Sequence, residues 1–172
     1  MVVVRKAQEQ DAVGVVSVHK KSWLATYPNP ESGITLEKIE RVFSNFDERA
    51  ERWRKRIRTY DWIENGVWVA ENSNIIVGFV APAVMEGKRR VGAIYIDPEY
   101  IGRGIGGLLI EKVFTLYKGE EIYCDVASYN IHAQKFYEKH GFIFTGKEST
   151  LDFQSEGELL FTVPLKEYLK QT

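Results

Sequence analysis

Residues 93–110 decide the fold, and they read AIYIDPEYIGRGIGGLLI. The first four, Ala93–Ile96, are apolar, β-branched or aromatic and predict a strand. Asp97-Pro98 ends that strand, because proline cannot donate a hydrogen bond to a sheet. The apolar residues of Leu108–Tyr117 recur at helical spacing and predict a helix. A loop joins strand to helix, and its glycines are Gly102, Gly104, Gly106 and Gly107.

A glycine-rich loop between a strand and a helix is suited to binding an anion. The first amides of a helix have no partners within it, and the helix dipole is positive there. Arg103 adds a full positive charge. A Walker loop would end in Gly-Lys-Ser/Thr, whereas this one ends in Gly106-Gly107-Leu108. The sequence therefore predicts a site for a phosphate-containing ligand that is not a Walker nucleotide loop. A plain strand-to-helix connection is the alternative.

Length and composition predict one domain that spans residues 1–172. The net charge of −1 gives no general attraction to nucleic acid or membranes. The single cysteine, Cys124, excludes an internal disulfide, and His19, His132 and His140 show no metal-ligand spacing, so no metal is expected. Because no apolar run has membrane-spanning length and the N-terminal residues lack the order of a signal peptide, we expect a cytoplasmic protein.

The rest of the chain predicts seven strands and five helices. The predicted strands are Val2–Lys6, Gly66–Glu71, Ile75–Met85, Arg89–Ile96, Glu121–Val126, Phe142–Phe153 and Leu159–Val163. Besides Leu108–Tyr117, the predicted helices are Asp11–Ala25, Leu36–Phe43, Asp47–Arg58 and Ile131–Lys139. The basic run within residues 49–58 is interpreted as a solvated helix face, and a site for an acidic partner is the alternative.

A second motif, residues 130–142, reads NIHAQKFYEKHGF. It resembles the pattern Asn-x-x-Ala-x-x-Phe-Tyr-x-x-x-Gly-Phe of the GNAT superfamily of N-acetyltransferases. Residues 101–106 resemble that family's Gln/Arg-x-x-Gly-x-Gly/Ala pyrophosphate loop, except that Ile101 replaces the usual Arg or Gln. The resemblance covers about Gly66 to Phe144. It implies an α/β (α+β) GNAT fold, in which a mixed, largely antiparallel seven-stranded sheet has helices on both faces and a V-shaped splay between strands 4 and 5.

The resemblance also implies a binding site for acetyl-CoA. The strand backbone at Ile94–Ile96 would pair with the pantetheine arm and donate to the acetyl carbonyl. Asn130 would contact the same arm, although its residue type alone suits a helix N-cap. Phe136 is assigned to the cofactor as well and also suits the core. The residues expected around the cofactor are Ile94, Tyr95, Ile96, Ile101, Gly102, Arg103, Gly104, Ile105, Gly106, Gly107, Asn130 and Phe136.

Two residues are predicted to carry the chemistry. By resemblance, Tyr137 is the general acid for the departing CoA thiolate, with a core tyrosine as the alternative. Asp125 stands where the ribosomal-protein N-terminal acetyltransferases have their base, so it would accept the amine proton through water; an exposed strand residue is the alternative. Gly92 stands where other members often carry a Glu. Trp23, Tyr27, Tyr95 and Phe153 are predicted to line the acceptor pocket, unless they pack the core.

The predicted function is that of an N-acetyltransferase, an acyltransferase that moves acetyl from acetyl-CoA to a primary amine by direct attack, without a metal. The acceptor is either a small amine such as a polyamine or a peptide or protein N-terminus. A non-catalytic acyl-CoA-binding sensor or regulatory module is the alternative, because Ile101 and Gly92 depart from the family pattern. A Rossmann-type fold conflicts with the antiparallel strands that precede the glycine loop. The acceptor, the base and the oligomeric state, including a homodimer, stay open.

Overall fold

The computed structural model describes residues 1–59 and 66–171. The strands are β1 (Val2–Lys6), β2 (Trp68–Asn72), β3 (Ile75–Met85), β4 (Lys88–Ile96), β5 (Ile122–Ala127), β6 (Ile143–Ser155) and β7 (Glu158–Lys170). The α-helices are α1 (Ala12–Thr26), α2 (Leu36–Val42), α3 (Phe46–Thr59), α4 (Ile105–Leu116) and α5 (Ile131–Lys139). The predicted domain of residues 1–172 includes positions 60–65 and 172, which lie outside the described residues. No helix in the described ranges is long and apolar enough to cross a membrane.

The strands form one mixed sheet in the order β1-β2-β3-β4-β5-β7-β6. β4 and β5 run parallel, and the other neighbouring pairs are antiparallel. Helices cover both faces. Ile94 and Ile96 pack in the core that contains α4 and α5, whereas Ala93 and Tyr95 pack in the cores that contain α1 to α3. Because successive strand residues point to opposite faces, the two helix layers lie on opposite sides of the sheet. The predicted fold class is confirmed.

Most predicted elements are present, and their errors have physical causes. α5 has the predicted bounds, whereas α4 begins at Ile105, three positions early, because two loop glycines enter its first turn. β7 continues well past Val163, since its second half pairs with β5 over the register Ala127↔Leu165 to Ile122↔Lys170. Such a long-range pairing leaves no local sequence signal. The spacing of Leu36, Ile39, Val42 and Phe43 predicts one apolar face of α2, but Leu36 is 54% exposed.

β4 contains a bulge close to the point where its pairing with β5 ends. Along β3, Ala81 pairs with Ala93 and Ala83 with Arg90, so two β4 residues, Val91 and Gly92, stand opposite Pro82. On the other side, β4 pairs with β5 only at Arg89↔Ile122 and Arg90↔Tyr123 among the described residues. Beyond the bulge the two parallel strands separate. The predicted V-shaped splay is therefore present, with its vertex at the bulge.

The basic helix α3 is only partly a solvated face. Arg52 is exposed and Arg54 is partly exposed, and they pair with Glu48 and Glu51 on the same helix, in agreement with the prediction. Two other arginines turn toward the protein. Arg49 Nε donates to the Val42 carbonyl (2.6 Å), and Arg56 donates to the Pro82 carbonyl (3.0 Å). Their guanidinium groups lie over the Phe43 and Trp53 rings, respectively.

The bulge yields a testable prediction at Gly92. A Cβ atom there would lie 2.8 Å from the Ala81 carbonyl oxygen and 3.0 Å from the Ala83 Cβ, so the backbone would have to move. We expect Gly92→Ala to lower the free energy of unfolding by about 1–3 kcal/mol in urea denaturation. Gly107→Ala is the control, because its Cβ would meet only His140 Nε2 at an ordinary 3.7 Å. Equal stability of the two variants would contradict the assignment of the bulge as a close contact.

Candidate active site

The opening between β4 and β5 exposes one edge of β4. Ile94 to Ile96 pair with β3 through the register Val80↔Ile94 to Gly78↔Ile96, and in the described residues they have no β5 partner. Ser22 Oγ of α1 donates to the Ile96 carbonyl (2.6 Å), which fixes the end of the strand against that helix. Strand polar groups that face the opening are therefore available to a ligand that runs along β4.

The glycine loop begins at a buried carboxylate. Asp97 accepts hydrogen bonds from the Glu99 amide (3.1 Å) and from Lys21 Nζ (2.7 Å). The loop continues to Gly104, the N-cap of α4, where no side chain caps the helix, so the amides of its first turn face outward. Arg103 folds back on the same loop, donating to the Glu99 carbonyl (3.0 Å) and lying over the Tyr100 ring. The loop thus presents uncapped amides and a nearby cation.

Gly106 serves packing as well as the loop. A Cβ atom at this position would lie 2.8 Å from Phe136 Cε2 and 3.2 Å from Ile96 Cδ1. The first turn of α4 can therefore approach both α5 and β4 closely only without a side chain there. Phe136, which the sequence assigned to the cofactor, sits at this junction. It contacts the ring of His140, with ring centroids 4.5 Å apart.

α5 brings Asn130 and Tyr137 to the open side of the sheet. Asn130 caps the helix, as its Oδ1 accepts from the Ala133 amide (3.0 Å). The Tyr137 ring packs edge-on against Phe142 at 5.1 Å and is 6% exposed, and its hydroxyl lies beside the Cys124 thiol of β5. Burial, reinforced by Cys124 and Tyr95, raises the pKa of Tyr137 well above its ordinary value. The hydroxyl therefore stays protonated at neutral and mildly alkaline pH.

On the opposite face of the sheet, aromatic side chains form what we term the acceptor cluster: His19, Trp23, Tyr27, Phe43, Tyr95 and Phe153. Trp23 contacts the Tyr27, Phe43 and Phe153 rings at centroid distances of 5.0, 5.5 and 4.7 Å. The hydroxyl groups of Tyr27 and Tyr95 lie beside each other, and burial raises the pKa of both. The Tyr95 hydroxyl also contributes to the raised pKa of Tyr137.

Comparisons with known proteins agree with this geometry. Residues 64–144 match the Acetyltransferase (GNAT) domain. The chain is 27% identical to the peptidyl-lysine N-acetyltransferase YjaB of Salmonella typhimurium over 93% of this chain and 96% of that protein. These matches support a GNAT acetyltransferase domain over residues 64–144.

Two further similarities cover different shares of the chain. It is 36% identical to the spermine/spermidine N(1)-acetyltransferase of Bacillus subtilis, over 41% of this chain and 47% of that protein. Its fold matches that of the PaiA N-acetyltransferase of Thermoplasma acidophilum, which was crystallised with coenzyme A. That match has a TM-score of 0.75 at 21% identity and covers 100% of this chain and 99% of the other.

Sequence reasoning missed two members of the acceptor cluster. His19 stacks on Tyr95 at 4.6 Å and meets Phe43 edge-on at 5.2 Å. His19 and Trp23 of α1 and Tyr27, the C-cap of that helix, follow one another at intervals of four residues, a signal that would have grouped them. Burial, with a smaller effect of the Arg49 charge, lowers the pKa of His19 to about 3. His19 is therefore neutral in the physiological range, and it is too weak a base to deprotonate an amine.

Asp125 lies on the same face of the sheet as the acceptor cluster, and its carboxylate is paired with a basic side chain. Its side chain, 35% exposed, forms an ion pair with Arg90 of β4. Directly opposite on β7 is Glu167, 8% exposed and 3.6 Å from the same arginine. The predicted base thus belongs to a charge network at the vertex of the V. Among residues 1–59 and 66–171, no group of three or more His, Cys, Asp or Glu could hold a metal ion.

The buried histidine predicts an acid-sensitive fold. The unfolded chain takes up a proton near the ordinary His pKa of 6.5, whereas the folded chain does so only near pH 3. The contribution of His19 is therefore fully present above pH 6.5 and is lost as the pH falls. Between pH 6.5 and pH 5 the loss is at most about 2 kcal/mol, from 1.36 kcal/mol per pH unit.

We expect His19→Phe to reduce this loss when urea denaturation is compared at pH 7 and pH 5. His132→Gln, at an exposed position of α5, is the matched control and should keep the wild-type pH dependence. If His19→Phe lost as much stability as the wild type on acidification, the buried neutral histidine would be refuted.

Proposed function

We propose that this GNAT enzyme transfers acetyl from acetyl-CoA to the ε-amine of a lysine in a peptide or protein. The observation that carries the proposal is the opening between β4 and β5. Tyr137 packs in the core on one face of the sheet, and the acceptor cluster packs on the other. A donor that enters from the glycine loop and an amine that enters through the aromatic cluster would meet in that opening.

Similarity over nearly the full length supports lysine as the acceptor. The match to the peptidyl-lysine enzyme covers 93% of the chain. So long an alignment includes residues of both α1 and β6, and therefore the acceptor cluster. The match to the spermine/spermidine enzyme extends over 74 residues, too few to include both of those elements. The 36% identity to the spermine/spermidine enzyme, although higher than the 27% identity to the peptidyl-lysine enzyme, therefore concerns only part of the site. A polyamine is the second candidate, supported by that 36% identity.

The residues around the opening fit acetyl-CoA. The uncapped first turn of α4 would bind the pyrophosphate through its amides, and Arg103 would add charge. The free edge of β4 at Ile94–Ile96 would pair with the pantetheine arm as an added strand. Asn130 and Phe136 would border that arm from α5. When bound, acetyl-CoA supplies the acetyl group as a thioester.

Tyr137 is proposed to assist the departure of sulfur. Its raised pKa keeps the phenol protonated, so its O–H can donate to the sulfur as negative charge develops there. The adjacent Cys124 thiol indicates that the Tyr137 hydroxyl can lie beside a sulfur atom at this depth.

The acceptor amine must lose its proton before it attacks. At an ordinary lysine pKa of about 10.4, deprotonation at pH 7 costs ~4.6 kcal/mol. Aromatic faces attract the ammonium, and burial among them then favours the neutral amine. We propose that Asp125 accepts the proton through water, because Arg90 already occupies its carboxylate directly. In the balanced reaction the C–N bond forms and the C–S bond breaks. The ammonium gives one proton to water before the attack, and the second amine proton ends on the leaving sulfur, which departs as the CoA thiol.

The proposed function is tested by free-thiol release from acetyl-CoA with a panel of acceptors. The panel contains lysine peptides with blocked N-termini, peptides with free N-termini but no lysine, spermine and spermidine. We expect release with the blocked lysine peptides and a mass increase of one acetyl group on lysine. Release with spermine alone would replace the proposal by the polyamine candidate.

A substitution tests the role of Tyr137. We expect Tyr137→Phe to lower kcat by roughly 10²–10⁴-fold, the range of general acid catalysis, with little change in CoA affinity measured by calorimetry. Tyr123→Phe is the control, since this β5 tyrosine is turned to Glu121 and Lys88 at the surface. A kcat for Tyr137→Phe equal to that of Tyr123→Phe would remove the phenol from the mechanism.

A further inference from the structure

Arg49 of α3 is a half-buried cation beside the acceptor cluster. Its guanidinium carbon lies 4.7 Å from the centre of the Phe43 ring. Phe43 is 2% exposed and contacts both Trp23 (5.5 Å) and His19 (5.2 Å). The arginine is therefore separated from two rings of the cluster by a single aromatic side chain. Its charge also reaches the cluster, because it helps to lower the pKa of His19.

The positive charge of Arg49 has no carboxylate ion-pair partner among residues 1–59 and 66–171. Its one hydrogen bond to the described residues runs from Nε to the neutral Val42 carbonyl (2.6 Å). No Asp or Glu of the described chain lies within ion-pair distance of it, although its neighbour Arg52 pairs with Glu48. Burial lowers the pKa of Arg49, with a smaller contribution from Arg52. The guanidinium is therefore partly desolvated without being neutralised, an arrangement that proteins usually avoid.

The guanidinium group of an arginine is suited to binding a carboxylate. It is planar, carries five N–H donors and can bind a carboxylate through two parallel hydrogen bonds. With Nε held by Val42 and one face on Phe43, the guanidinium is already oriented, so a ligand would not have to order it. The terminal nitrogens remain for an anion brought by the acceptor.

We propose that Arg49 is a specificity-determining residue that selects lysine acceptors with a carboxylate beside the target lysine. The proposal rests on the proposed function and deepens it. Phe43 lies between the guanidinium and His19, which stacks on Tyr95. A carboxylate next to a lysine bound at the cluster would therefore be placed toward Arg49. A polyamine carries no carboxylate and would meet like charge there.

The test compares two blocked peptides that differ only in having Glu or Gln on both sides of a central lysine. We expect kcat/KM of the wild type to be roughly tenfold higher for the Glu peptide, as expected for a charge-assisted hydrogen bond. The difference should lie mainly in KM, because the contact is equal in the ground and transition states. Arg49→Gln should bring the ratio near one, and Arg49→Lys should keep part of it.

The matched control is Arg52→Gln, which removes one positive charge from the same helix at a position 67% exposed. It should retain the preference for the Glu peptide. Equal rates of the wild type on the two peptides would overturn the role of Arg49 and leave lysine acetylation intact. A preference that persisted in Arg49→Gln would also overturn it. If neither peptide were acetylated while spermine was, the proposed function would fail, and this inference with it.

Discussion

The site depends on one constraint, which is that β4 has a partner on both sides for only part of its length. Up to Arg90 it is bonded to β3 and to β5, and beyond the bulge it keeps β3 alone. A strand with a free edge inside a sheet would normally attract another strand or aggregate. Here α4 and α5 pack on one face of the sheet and α1 to α3 on the other. The bulge that interrupts the pairing therefore creates the opening on which the proposed function rests.

Successive side chains at the end of β4 point to opposite faces of the sheet and so join different cores. Ile94 and Ile96 support the core under α4, while Tyr95 between them belongs to the acceptor cluster. Moving the strand by one residue would exchange these roles, so the register next to the bulge controls both the donor side and the acceptor side. Ser22 and Lys21 of α1 hold Ile96 and Asp97 in place at the end of the strand. Contacts from the acceptor side thus fix the start of the glycine loop on the donor side.

Local sequence patterns predicted what depends on local chemistry. The glycine loop, the N-cap at Asn130 and the bounds of α5 follow from residue types at short spacing, and the structure has them. The extension of β7 and the ion pair of Asp125 with Arg90 depend on strands that meet only after folding, and no nearby residue encodes them. The acceptor cluster lies between these cases. Its α1 members share a helix face that spacing could reveal, whereas Phe43 and Phe153 join through tertiary packing.

Three polar side chains of the site show how burial selects a charge state. Tyr137 and His19 can both become neutral, and desolvation shifts the pKa of each in the direction that keeps it so. The arginine at position 49 cannot give up its proton at physiological pH, so burial leaves it with unbalanced charge. A site intended only to neutralise an entering ammonium would gain nothing from a cation nearby, because repulsion would weaken binding before the amine was deprotonated. The cation is explained when the acceptor brings both charges, since attraction of a carboxylate to Arg49 offsets that repulsion while the aromatic rings still favour the neutral amine.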